Sequence, residues 1–239
     1  MIEKPKVEVC FTPNMFPLYA EDFEVVVVID VLRATSAICT AFHYGVDKII
    51  PVSTLDQAIE YKDKGYYVAA ERKGKIVSGF EFGNSPLSYT NDKLKDQTLV
   101  LTTTNGTKAI NMTKDIEQLL IGSFLNLDAI CNYLIELNKS VLILGSGWEN
   151  KFCLEDSICA GAISEHLLKT NKFKCNNDST IAAKYLFLSA KSNYFGYLKA
   201  SSHRKRLKKL NLNEDIKYCL TPNQTDVIPV REDYYLKKL

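Results

Sequence analysis

The run Val25-Val26-Val27-Val28-Ile29-Asp30-Val31-Leu32-Arg33-Ala34-Thr35-Ser36 leaves this chain few folds. An unbroken stretch of β-branched residues suits a strand covered on both faces, as in the parallel sheet of an α/β protein. The following residues, Thr35 through Phe42, read as a helix. Asp30 then falls at the carboxyl end of a strand, where open α/β sheets bind ligands, and Arg33 lies beside a helix N-terminus whose amides favour anions. An acid next to an anion-friendly cluster suggests a metal and a phosphate. The plainer alternative has Asp30 capping the helix and Arg33 paired with a surface acid.

The rest of the chain keeps this alternation. Strands are expected over residues 6–11, 25–30, 48–52, 67–70, 98–103, 118–122, 141–145 and 227–230. Helices are expected over 35–44, 55–64, 106–112, 127–137, 156–169, 179–192 and 203–209, with another near 215–219. Such an order predicts a three-layer α/β/α fold with a mostly parallel sheet, and residues 1–239 read as a single domain. Right-handed crossovers would bring the loops after the strands to one edge.

Bulk properties exclude several classes. Hydrophobic residues make up 46% of the chain, enough for a full core and too many for extended disorder. Thirty basic residues against 28 acidic ones give no overall pull toward nucleic acid. The local basic run Arg204-Lys205-Arg206-Leu207-Lys208-Lys209 reads as a solvated helix face. Seven cysteines without a C-x-x-C pair suit buried thiols in a reducing compartment. No apolar stretch approaches the roughly 18 residues that span a bilayer, and the amino end lacks a signal-peptide core. The expectation is a cytoplasmic protein with neither membrane nor nucleic acid as partner, and with room for a homo-oligomer.

The loops after the expected strands carry the polar residues. They are Glu71-Arg72-Lys73-Gly74, Gly79-Phe80-Glu81-Phe82-Gly83-Asn84-Ser85-Pro86, Thr102-Thr103-Thr104-Asn105-Gly106-Thr107-Lys108, Gly145-Ser146-Gly147-Trp148 and the helix opening at Glu155-Asp156. Each alone has an ordinary explanation as a turn, a surface pair or a cap. Together they describe a site.

The order of these blocks resembles the 2-phosphosulfolactate phosphatase family from about Val25 to Gly161, and more loosely through Ser202-His203 to Val227-Ile228-Pro229-Val230. The chain departs from the commoner pattern at Ala70, Lys73 and Glu81. The resemblance implies a magnesium-dependent α/β/α phosphatase that converts 2-phospho-3-sulfolactate to 3-sulfolactate and phosphate on the route to coenzyme M. Its partner is then a small anionic phosphate ester. Magnesium prefers oxygen ligands and usually keeps several waters, so Asp30, Asp156 and Glu71 are candidate ligands, with Glu155 as a further ligand or proton carrier. Arg33 and Arg72 suit paired hydrogen bonding to an oxyanion. Thr35, Ser36, Thr104, Asn105, Gly106 and Thr107 could hold an anion at a helix start, Asn84 and Ser85 could orient substrate oxygens, and His203 is a further substrate-binding candidate.

Other plans fit less well. An aspartate-nucleophile phosphatase expects a second acid where Leu32 stands, and a cysteine phosphatase needs an arginine six residues after its cysteine, where Cys39 is followed by Gly45. Gly145-Ser146-Gly147 lacks the third glycine of a dinucleotide loop. A non-catalytic binder of phosphate or sulfonate metabolites remains as an alternative, but a pure anion receptor gains nothing from four nearby acids unless a cation bridges them.

Overall fold

The computed structural model describes residues 3–239. Its ten strands are β1 (Val7–Cys10), β2 (Val25–Ile29), β3 (Lys48–Pro51), β4 (Tyr67–Arg72), β5 (Lys75–Ile76), β6 (Thr98–Thr102), β7 (Gln118–Gly122), β8 (Val141–Gly145), β9 (Pro229–Glu232) and β10 (Tyr235–Lys238). They form one sheet in the order β1-β8-β2-β7-β9-β10-β3-β6-β4-β5. Seven of the ten lie in two parallel blocks, β1-β8-β2-β7 and β3-β6-β4. The helices are α1 (Ala34–His43), α2 (Leu55–Asp63), α3 (Gly106–Met112), α4 (Leu127–Leu137), α5 (Leu154–Lys169), α6 (Asp178–Ala190), α7 (Tyr194–Tyr197), α8 (Ser202–Lys209) and α9 (Asn213–Cys219).

Helices cover both faces of the sheet, so the architecture is α/β/α. The all-valine strand shows why. Val25, Val27 and Ile29 enter a core with residues of α4, α5 and α6, whereas Val26 and Val28 enter a second core with Ala37, Ile38, Ala41 and Phe42 of α1. Period-two alternation thus feeds two cores, and no residue of β2 can be polar. A third, smaller core packs Ala58 of α2 on Ile50, Val68 and Val100 of the second block.

The sheet departs from the expected plan at its centre. Strand β9 runs antiparallel to β7, β10 to β9, and β3 to β10, so the two parallel blocks run in opposite senses. The expected strand over residues 227–230 is β9, begun later, and β10 was not anticipated. One parallel edge therefore cannot gather all the loops. They meet because the inner faces of both blocks share a core with α1: Val26, Val28 and Leu142 from one, Ile49, Leu99 and Leu101 from the other. Helix α3, leaving the carboxyl end of β6, packs against β2 and α1. The short strand β5 and the single turn α7 were not anticipated either, and the remaining strands and α-helices match the expected ones to within a few residues. Among the described residues no helix is long and apolar enough to cross a membrane, and the seven cysteines are free thiols, all but Cys175 buried.

Candidate active site

The turn after β2 is held by hydroxyls. Thr35 Oγ1 accepts the Asp30 amide at 3.0 Å, and Ser36 Oγ donates to the Val31 carbonyl at 2.8 Å. Both side chains are fully buried and committed to the backbone, so they shape the site from behind it. Asp156, in the first turn of α5, accepts the amides of Val31 at 2.9 Å and Gly147 at 3.1 Å. One carboxylate thereby ties the loops after β2 and β8 together. Its neighbour Glu155 pairs with His203 Nδ1 at 2.6 Å and accepts from Ser201 Oγ at 3.4 Å.

In front of these residues lies a cavity of about 180 Å³, lined by Asp30, Arg33, Glu71, Asn84, Asn105 and His203 together with Leu32, Lys73, Gly74, Trp148, Arg206, Leu207 and Leu210. Glu71 accepts from the Gly74 amide and from the Thr104 amide at 3.4 Å, which joins the loops after β4 and β6. Arg33 donates to Asp215 at 2.5 Å and to the Gly74 carbonyl at 3.0 Å, and Ser85 Oγ donates to the same Asp215 at 3.0 Å. Asn84 is buried, and its Oδ1 has no partner among the described residues. Gly106 stands where a Cβ would lie 2.8 Å from Asp30 Oδ2, so only glycine lets the start of α3 approach the acid.

Nine sequence candidates are not among the cavity-lining residues: Thr35, Ser36, Ser85, Thr104, Gly106, Glu155 and Asp156, placed as described, and Arg72 and Thr107. Arg72 turns back to its own strand, donating to the Glu71 carbonyl at 2.6 Å and to Thr102 Oγ1 at 3.0 Å. Thr107 closes a reciprocal cap with Thr103 at 3.1 Å. In turn, the structure brings in Lys73, Trp148, Arg206 and Asp215. Arg206 lies in the basic run read as a solvated face, and nothing in the sequence marks Asp215, which reaches Arg33 across 182 positions.

The acids crowd one another. Burial, with Glu71 and Glu155 nearby, raises the Asp30 carboxyl from its ordinary 3.8 to about 6 despite the opposing charge of His203. Burial and the charges of Asp30 and Glu155 also push the Asp156 carboxyl well above its ordinary range. Burial also acts against ionised Glu155, but the His203 hydrogen bond and charge outweigh it and hold its carboxyl low. Two buried carboxylates, Asp30 and Glu71, line the cavity and offer the oxygen donors that a divalent cation prefers. Cys153, Glu155 and His203 also bring one donor atom each within 4.8 Å of one another, although the Glu155–His203 pairing already accounts for two of them.

Comparison with known proteins agrees with this geometry. The chain is 38% identical over 208 residues to a probable 2-phosphosulfolactate phosphatase of Caldanaerobacter subterraneus subsp. tengcongensis, a match covering 85% of this chain and 86% of that one. It is 40% identical over 209 residues to one from Synechocystis sp., covering 85% and 87%. It is 39% identical over 215 residues to one from Thermotoga maritima, covering 90% and 92%. The family model described as 2-phosphosulpholactate phosphatase matches residues 10–234, a span that holds every loop around the cavity, and the chain therefore belongs to the 2-phosphosulfolactate phosphatase family.

Proposed function

We propose that the protein is a phosphoric monoester hydrolase that uses magnesium to convert 2-phospho-3-sulfolactate to 3-sulfolactate and phosphate. The observation that carries this reading is the meeting, in one cavity of a chain of this family, of two buried carboxylates, Asp30 and Glu71, with the buried donors Arg33 and Asn84. Asp30 and Glu71 would hold the metal, with Asp156 fixing the two loops behind them. When bound, magnesium supplies the positive charge that lets a nucleophile approach a phosphate dianion.

The chain's own groups do the rest. Arg33, locked between Asp215 and the Gly74 carbonyl, presents a positioned charge rather than a free fork, so it orients more than it grips. Asn84 can donate through its amide nitrogen to a substrate oxygen. With Nδ1 of His203 engaged by Glu155, Nε2 is the ring nitrogen left to hold a proton on its way to or from the ester oxygen. Water adds to phosphorus, the phosphorus–ester oxygen bond breaks, and that oxygen leaves as the hydroxyl of sulfolactate.

The test is release of inorganic phosphate from a panel of phosphorylated 2-hydroxy acids, with magnesium and with chelator after metal removal is verified by elemental analysis. Magnesium-dependent release, best with phosphosulfolactate, is expected. Full activity in chelator would overturn the metal's role, and binding without turnover of any ester would mark a receptor instead.

A further inference from the structure

Cations around the cavity are not equally available. Arg33 is paired with Asp215, and Lys73 is exposed. On α8, Arg204 is spent on Phe195, donating to its carbonyl and lying 3.7 Å over its ring. Arg206, two residues on, lines the cavity with its guanidinium carbon 4.2 Å from the Trp148 ring. Its Nε and Nη2 are buried and have no hydrogen-bond partner among the described residues. These two atoms form one edge of the guanidinium, whose N–H bonds run parallel and match two oxygens of a single oxyanion.

Leaving charged donors buried and unpaired is costly, so an unpaired edge on a residue that lines the cavity points to a ligand group that pairs with it. We propose that the Nε–Nη2 edge of Arg206 is the subsite for the substrate's sulfonate. This rests on the phosphatase reading for the identity of the substrate. With the phosphate at Asp30 and Glu71, the carboxylate shares the phosphate-bearing carbon, whereas the sulfonate sits one carbon farther out and reaches farthest from the acids. A sulfonate is a weakly hydrated, permanently charged tetrahedral anion. It suits a guanidinium held over an indole, with Leu207 and Leu210 as apolar neighbours. Contact with the indole holds the guanidinium in place before the ligand arrives, which reduces the ordering cost of binding.

Two measurements test the subsite. Calorimetry with 3-sulfolactate and with lactate, in magnesium, compares the wild type with Arg206→Gln and Arg206→Lys, each checked for folding by its melting temperature. The wild type should prefer sulfolactate. Arg206→Gln should weaken sulfolactate binding by about 10–100-fold, and Arg206→Lys should recover only part, because a point charge cannot reproduce the paired edge. In turnover, the ratio of specificity constants for phosphosulfolactate over 2-phospholactate should fall by the same factor in Arg206→Gln. Unchanged sulfolactate binding in that variant, or no wild-type preference for sulfolactate over lactate, would overturn the subsite. If the wild type hydrolyses neither ester, the phosphatase reading falls, while an Arg206-dependent preference for sulfolactate would still support the subsite.

Discussion

Asp30 illustrates how a single residue trades stability for function. Its carboxyl titrates at about 6 in the folded chain against an ordinary 3.8, because it is buried near Glu71 and Glu155. Between those values the folded chain holds a proton that the unfolded chain has released. The stability associated with the neutral carboxyl is therefore complete at the acid end and lost as pH rises through 6, a change of up to ~3 kcal/mol. Asp30→Asn should accordingly raise the melting temperature of the chelator-treated protein at pH 8 and leave it unchanged near pH 3.5. The same substitution should weaken magnesium binding and lower phosphate release by at least about 100-fold, since it removes a charged ligand. Melting curves across that pH range and magnesium titrations check both halves. Asp215 tests the opposite case. Asp215→Ala leaves the buried Arg33 without its carboxylate and should cost about 3–5 kcal/mol in urea denaturation. A loss below about 1 kcal/mol would show that the Gly74 carbonyl suffices for Arg33.

Among the elements, two helices depend on glycine for different ends. At Gly106, the first residue of α3, an added Cβ would lie 2.4 Å from Ala34 Cβ and 2.8 Å from Asp30 Oδ2. At Gly161, inside α5, it would lie 1.9 Å from the Ala183 carbonyl oxygen of α6. Either methyl forces a backbone apart, and each alanine variant should lose roughly 1–3 kcal/mol. Their consequences for activity should separate. Gly106→Ala moves α3 against Asp30 itself and should reduce kcat in the folded fraction, whereas Gly161→Ala, outside the cavity lining, should lower the melting temperature and leave kcat and KM unchanged. Circular dichroism melts alongside steady-state kinetics below the transition distinguish the two.

At the scale of the whole molecule, the hairpin of β9 and β10 is the joint between two parallel blocks of opposite sense. Leu236 of β10 pairs with Ile49 and is fully buried in the core that both blocks share with α1. Leu236→Ala should therefore cost about 2–5 kcal/mol. If the two blocks fold as one unit, intrinsic fluorescence and circular dichroism should still give coincident transitions. Separate transitions would show that the hairpin alone couples the halves.

The sequence by itself determined the local parts: β2 as a doubly covered strand, the alternation of strands and helices, and Asp30, Glu71, Asn84 and Asn105 as polar residues of loops. These were legible because hydrophobic period, strand ends and turn chemistry act over a few residues. Only the tertiary structure decided which polar groups face that cavity and which turn away. Arg72 satisfies its own strand end, Asp156 clamps two loops, and Thr35 and Ser36 serve the backbone, because buried donors and acceptors take the nearest partner that the assembled fold offers. Arg206 escaped notice because a basic helix reads as solvated until Trp148 is seen packed over it. The Asp215–Arg33 pair and the reversal between blocks rest on contacts made by the last third of the chain with the first, which no window of sequence contains.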